Sequence, residues 1–411
     1  MDIQKNENCK RLIALMFCLC TALALADDSG VFSTLKESYR MFQGMNAPDM
    51  IEKLQQAGQT CNDGLLKKRI QYRIGILFFK TQDLQRAYNC FDQIAKDTDC
   101  PPELQLAGIN MAAQTARMLA RDELTLNHYN KLMQQAIDAA KTANQKISNT
   151  MLEKLYLASV FGKAEIYTFQ GKHNQAGEVY QKAIEDLQAD IFNDGLKYLP
   201  DLYDRFSQVC LKTEKTQQYA DTVSIITKQY ADYPRCNLIQ LESFAVQFLE
   251  ENKIKPDYSN GSLEAPAQLI LYVKEHKESP AIERINAVLQ QLSGNRQRDR
   301  YDWLLSYHYA WLLDTVGQKE MACKFFDEMI AEIEASTEIR ADYLAQTILN
   351  YSKLQKSLIN GEREQYKQGL ECIASLEPIT KDTHIGQLAD SIRNSLETLK
   401  REVPKDENPS Q

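Results

Sequence analysis

The chain has 411 residues, 44% hydrophobic and 25% charged, an ordinary globular balance that excludes a disordered polymer. Its formal charge of −8, from 48 basic and 56 acidic residues, argues against a nucleic-acid or anionic-membrane surface, either of which calls for a basic field. A chain this long exceeds one ordinary compact core.

The N-terminus reads MDIQKNENCKRLIALMFCLCTALALADDSG. A basic segment ending at Arg11 precedes an apolar run, Leu12 to Ala26, and Ala24-Leu25-Ala26 supplies the small-x-small pattern a signal peptidase accepts. The run is short of the ~20 residues that span a bilayer comfortably. A signal peptide over residues 1–26 is therefore expected, with export to the periplasm or the extracellular space. The alternative is an uncleaved segment that tethers the protein to a membrane. Phe17 and Leu19, which precede Cys18 and Cys20, are too large for a lipobox. No later stretch is apolar enough to span a membrane. Beyond the leader lie Cys61, Cys90, Cys100, Cys210, Cys236, Cys323 and Cys372, odd in number, scattered and without a CxxC. That is no disulfide framework, zinc knuckle or thioredoxin pair, although one or two bridges stay open.

Helical apolar periodicity dominates from there on, in segments of about 12 to 20 residues broken by short turns. Lys68 to Pro101 carries Gly75 and Phe78, then Ala87, Phe91 and Ile94. Glu103 to Ala143 reads as a longer helix pair. Leu157 to Asp190 has Ala164 and Tyr167, a turn at Gly171, then Ala176, Tyr180 and Ala183. Small residues there let two antiparallel helices approach, the rings fill the crossing, and glycine reverses the chain at low steric cost. Asp201 to Pro234 is a weaker copy that keeps Leu211 and Ala220. Leu238 to Asn252 and Ala265 to Leu292 predict three more helices, with a polar loop over 253–265 separating two halves. The arginine-rich GNRQRDR, Gly294 to Arg300, reads as a solvated loop. Trp303 to Ser336 repeats the code with Ala310, Leu313, Gly317, Ala322, Phe326 and Met329. Thr347 to Thr380 repeats it weakly, with Gly361 at the turn. Residues 386–402 suit a capping helix, and 403–411 a disordered tail.

This spacing of about 34 residues resembles the tetratricopeptide repeat. The bulky residue usual early in the first helix is Val160 in one copy but Gln71 and Ser306 in others, and two of the better copies lack the closing proline. The resemblance implies an all-α fold: a right-handed superhelical solenoid of stacked antiparallel helix hairpins. It places such repeats over 27–252 and again over 266–402. It also implies that the first helix of each hairpin lines a groove, reached by its fifth and ninth positions. The fifth positions are Tyr72, Phe161, Tyr307 and Tyr351; the ninth are Ile76, Glu165, Trp311 and Gln355. The competing reading packs these rings between hairpins. The lysine, asparagine and arginine with which some members clamp C-terminal carboxylates are absent from those positions.

Tyr301 to Asp314, YDWLLSYHYAWLLD, holds both tryptophans and three tyrosines, more rings than one helix face can bury. Tyr307 and Trp311, four apart, project together. The five histidines are scattered, and no HExxH, GxSxG, GxGxxG, phosphate loop or EF-hand occurs. No enzyme activity, cofactor or metal is expected. The residues point to a non-enzymatic interaction scaffold, binding a protein or extended peptide against Tyr307, Trp311, Tyr72, Phe161 and Tyr351. Glu165 and Asp314 would supply charge selectivity. No nucleic-acid partner is expected, and a glycan- or small-ligand-binding protein is the alternative.

Overall fold

The computed structural model describes residues 34–38, 47–142, 149–192, 195–254, 264–276, 281–294, 300–336, 339, 342–363, 365–376 and 384–402. The expected leader and tail lie outside them, as do most of the 253–265 loop and of the arginine-rich loop. The described residues are helical and contain no strand. The chain divides into two compact units, Met1–Thr213 and Glu214–Gln411.

In the first unit a helical stretch at 34–38 precedes α1 (Ala47–Thr60), α2 (Gly64–Lys80), α3 (Leu84–Lys96), α4 (Pro102–Met118) and α5 (Asp122–Ala140). Then come α6 (Asn149–Phe169), α7 (His173–Gln188), a 3-10 turn (Gly195–Tyr198) and α8 (Leu199–Lys212). Each helix packs on the next in sequence, so the second helix of one hairpin also supports the first helix of the hairpin that follows. The second unit holds α9 (Thr216–Gln229), α10 (Cys236–Glu251), α11 (Glu264–Glu275), α12 (Ala281–Gly294) and α13 (Arg300–Thr315). It ends with α14 (Lys319–Ala335), α15 (Tyr343–Glu362), α16 (Tyr366–Ala374) and α17 (His384–Glu402). There α13 touches α10, α11 and α12 together, a less regular arrangement than nearest-neighbour stacking.

The hairpins share one turn. Three residues join the two helices, and the middle one is left-handed: Gln82 (φ 63°), Ala120 (φ 56°), Gly171 (φ 70°) and Gly317 (φ 84°). In each of them the third turn residue donates its N–H to the carbonyl five back: Asp83 to Phe78 and Arg121 to Ala116 at 2.9 Å, Lys172 to Tyr167 and Gln318 to Leu313 at 2.8 Å. These bonds satisfy carbonyls that a helix C-terminus otherwise leaves open. Only two of the four turns carry the glycine that announces them.

The small-residue positions act as expected. A Cβ on Gly75 would lie 2.8 Å from the Phe91 ring, so α2 and α3 cross where only glycine fits. Phe91 is fully buried there, a ring worth about 2 kcal/mol or more in transfer terms. Gly361 is different. It lies inside α15 rather than at the turn expected from the sequence, and a Cβ there would meet Leu396 of α17 at 2.5 Å. Its small size serves helix contact, and α15 runs on to Glu362, with Arg363 as its C-cap.

Candidate functional site

Where a first helix keeps one stripe less buried than the rest, helical geometry decides which residues share it. In the first unit, α2 offers no such stripe in its second half, because Tyr72 to Phe79 are all buried. Tyr72 packs edge-on to Phe91 at 5.5 Å between ring centroids, and Ile76 is equally enclosed. The groove expected at Tyr72 is thus corrected by the segment before it. Leu35, Met50, Ile51 and Leu54 join the same core, and buried Arg73 donates to the Ser38 backbone carbonyl and to its Oγ.

The open stripes belong to α6 and α8. On α6 the stripe is Lys154, Ala158, Phe161, Glu165 and Thr168, at intervals of three and four; Glu165 is exposed and Phe161 half-buried. On α8 it is Asp201, Arg205, Gln208 and Lys212. Arg117 of α4 pairs with Glu165 at 2.8 Å and hydrogen-bonds Tyr129 of α5. Burial alone would lower the Arg117 pKa, but the Glu165 partner outweighs it and holds the group above its ordinary value. Arg205 lies 4.8 Å above the Phe161 ring and hydrogen-bonds the Tyr180 hydroxyl. Phe161 and Tyr180 are themselves tilted ring neighbours at 6.3 Å. Burial raises the Tyr180 phenol above its usual pKa, so it stays neutral beside the guanidinium.

In the second unit the rings of α13 divide as their number demands. Trp303 and Tyr309 turn inward, Trp303 donating Nε1–H to Glu332 at 3.3 Å and Tyr309 meeting Phe325 edge-on at 5.0 Å. Leu304, Tyr307, Trp311 and Asp314 form the half-buried stripe. Tyr307 sits 6.2 Å from Trp311 and 6.0 Å from Phe326, and its hydroxyl hydrogen-bonds Gln355 of α15. Burial pushes its phenol up to about 12. Tyr307, Trp311, Tyr351 and Gln355 are therefore neighbours across α13 and α15. Tyr351 is half-buried and leans on a small core with Leu354, Ile373, Ile392 and Leu396, so much of its ring is spent against α16 and α17. The cavity beside Trp303, edged by Asp302, Glu328 and Glu332, holds about 10 Å³, room for a single water.

Two features had no signal in the sequence. Arg205 lies in one of the two weak copies, on a helix whose open face no aromatic advertises. His308 is buried on α13, its imidazole pushed down to about 4 by loss of solvent. Among the described residues, no group of three or more His, Cys, Asp or Glu is arranged to hold a metal ion. No described helix is long and apolar enough to cross a membrane.

The fold is thus an all-α stack of helix hairpins, a repeat scaffold. Residues 158–185 match the tetratricopeptide repeat, and the hairpins α2–α3, α4–α5 and α13–α14 reverse through the same three-residue turn as α6–α7. Solved structures with a similar fold include a tetratricopeptide repeat protein from Parabacteroides merdae, at 11% identity and a TM-score of 0.41, covering 80% of this chain and 98% of that one. Yeast Tom70 is similar at 10% identity and a TM-score of 0.28, covering 92% of this chain and 97% of that one. No curated protein matches the sequence. Scaffolds of this repeat generally bind proteins or peptides and are not enzymes.

Proposed function

We propose that this protein is an exported scaffold that holds a protein or an extended peptide against the half-buried stripe of α13 and α15. The observation that carries the reading is Trp311 beside Tyr307, two large rings on a face that no other described element fully covers. Such rings offer wide contact at small entropic cost, and truncating an interface aromatic of this kind typically costs 1 kcal/mol or more. Gln355, already bonded to Tyr307, keeps one ring fixed before a partner arrives, which lowers the cost of binding. Export rests on the basic, apolar and small-x-small order of residues 1–26.

The test is site-specific photo-crosslinking from position 311 in the native host, with N-terminal sequencing of the purified protein. A crosslinked protein partner, lost in Trp311→Ala, together with a mature terminus at Asp27, supports the proposal. Saccharide capture that Trp311→Ala abolishes, without a protein adduct, replaces the scaffold by a glycan binder. A cytosolic protein with Met1 intact removes export.

A further inference from the structure

The first unit carries a second feature that its packing does not require. Arg205 is exposed on α8, yet its guanidinium is fixed from two sides, by the Phe161 ring at 4.8 Å and by the Tyr180 hydroxyl. Arg117, the other arginine of this face, is already held by Glu165 at 2.8 Å. Arg205 has no carboxylate within ion-pair distance among the described residues, and neither has Lys212, seven residues on along the same stripe. Asp201 and Glu165 are the acidic members of the face, and Glu165 is engaged by Arg117. The balance left over on α8 is positive, although the whole chain is −8.

We propose that Arg205 and Lys212 seat two acidic side chains of an extended peptide, with Arg205 as the anchor. A guanidinium held over a ring is pre-organised and weakly hydrated, and its paired N–H groups match a carboxylate. Most of its side-chain freedom has been given up before the ligand arrives. Lys212 is a flexible point charge, so it contributes long-range attraction rather than geometry. Seven helical residues separate the two cations by about 10 Å along α8. In a peptide in the polyproline II conformation, with three residues per turn and a rise of about 3.1 Å, side chains three residues apart lie on one face at about the same distance. The ligand is therefore a segment with acidic residues at i and i+3. The intervening residues cross the half-buried Phe161 ring, and Gln208, midway on the stripe, faces the peptide backbone.

This site lies in the other unit from the aromatic stripe of α13 and shares with that reading only the peptide class of ligand. Trp311→Ala and Arg205→Gln therefore fail or succeed separately. The probe is a fluorescein-labelled Gly/Ser peptide with a central Glu-Leu-Val-Glu, compared with its Gln-Leu-Val-Gln twin by fluorescence anisotropy on the full-length protein. The Glu peptide is expected to bind at least tenfold more tightly than the twin, and more weakly as salt rises. Arg205→Gln should remove that preference and Arg205→Lys restore only part of it. Lys212→Gln should weaken binding a few-fold. Circular dichroism melts that match the parent protein assign the losses to the seat rather than to unfolding. Absence of binding, equal affinity for the two peptides, or full affinity in Arg205→Gln overturns the proposal. Displacement of the Glu peptide by inorganic phosphate but not by acetate overturns it too, by reassigning the seat to phosphate.

Discussion

Tyr156 of α6 donates its hydroxyl to the Asp186 carboxylate of α7 at 2.7 Å, and the other oxygen of that carboxylate takes Lys182 at 2.9 Å. Both Tyr156 and Asp186 are buried, so the bond joins the two helices of a hairpin where water cannot substitute. Tyr156→Phe removes the donor and leaves a buried carboxylate oxygen with one bond fewer. The expected loss is about 1–3 kcal/mol. Because both tryptophans lie on α13 in the second unit, their fluorescence does not follow this change. Backbone hydrogen exchange across α6 and α7 does, and unchanged protection there would refute a stabilising role for the bond.

Gly75 leads to a second measurement. Alanine is the better helix former by about 1 kcal/mol, so on propensity alone Gly75→Ala stabilises α2. The new Cβ, however, would meet the Phe91 ring at 2.8 Å and the Cys90 Cβ at 3.0 Å. Both belong to a packed core with little room to yield, and overpacking of this kind costs about 1–3 kcal/mol. The crowding wins, and the variant should unfold at lower urea than its parent by far-UV circular dichroism. A rise in midpoint would mean that α3 can move away.

The shared turn separates glycine's steric ease from any sequence label. Gly171 and Gly317 occupy the left-handed position, but Gln82 and Ala120 occupy it too, at the steric cost an L residue carries there. Ala120→Gly should therefore stabilise the first unit by up to about 1 kcal/mol, even though glycine raises the entropy of the unfolded chain. Gly171→Ala should destabilise it by about 1 kcal/mol. Opposite shifts of the denaturation midpoint check both, and a loss in Ala120→Gly would place that cost elsewhere.

These turns also mark where the sequence was legible. Leu157 to Asp190 could be read because its small and aromatic residues are required by a crossing, and its reversal happens to use Gly171. The hairpin of α4 and α5 has the same turn built on Ala120, and no residue type announced it. Gly361 was misread for the opposite reason: a glycine that makes room for Leu396 looks the same in sequence as one that reverses the chain. Tyr72 had the aromatic identity of a groove residue. Its burial depends on Ser38, Leu35 and α1, which cover α2 from a part of the chain that repeat spacing does not reach. For Arg205 the exposed charge was visible, but the support from Phe161 and Tyr180 exists only once three helices are in place.

His308 makes stability depend on pH in a calculable direction. The imidazole is buried among the packed helices of the second unit, and loss of solvent pushes its pKa from an ordinary 6.5 down to about 4. Between those values the unfolded chain takes up a proton that the folded one refuses. Stability is therefore complete above about pH 6.5 and falls as the pH drops toward 4, by about 1.4 kcal/mol for each pH unit. Carboxylates titrate in part of the same window, so the comparison is with His308→Leu, which keeps an apolar side chain of similar reach and removes the proton site. Urea unfolding followed by tryptophan fluorescence reads the second unit, since Trp303 and Trp311 both belong to α13. At pH 5 the parent protein should have lost about 2 kcal/mol more than the variant, each relative to its own value at pH 7.5. Parallel losses in the two proteins would mean that His308 is protonated in the folded state, and that α13 opens to water far more readily than its packing implies.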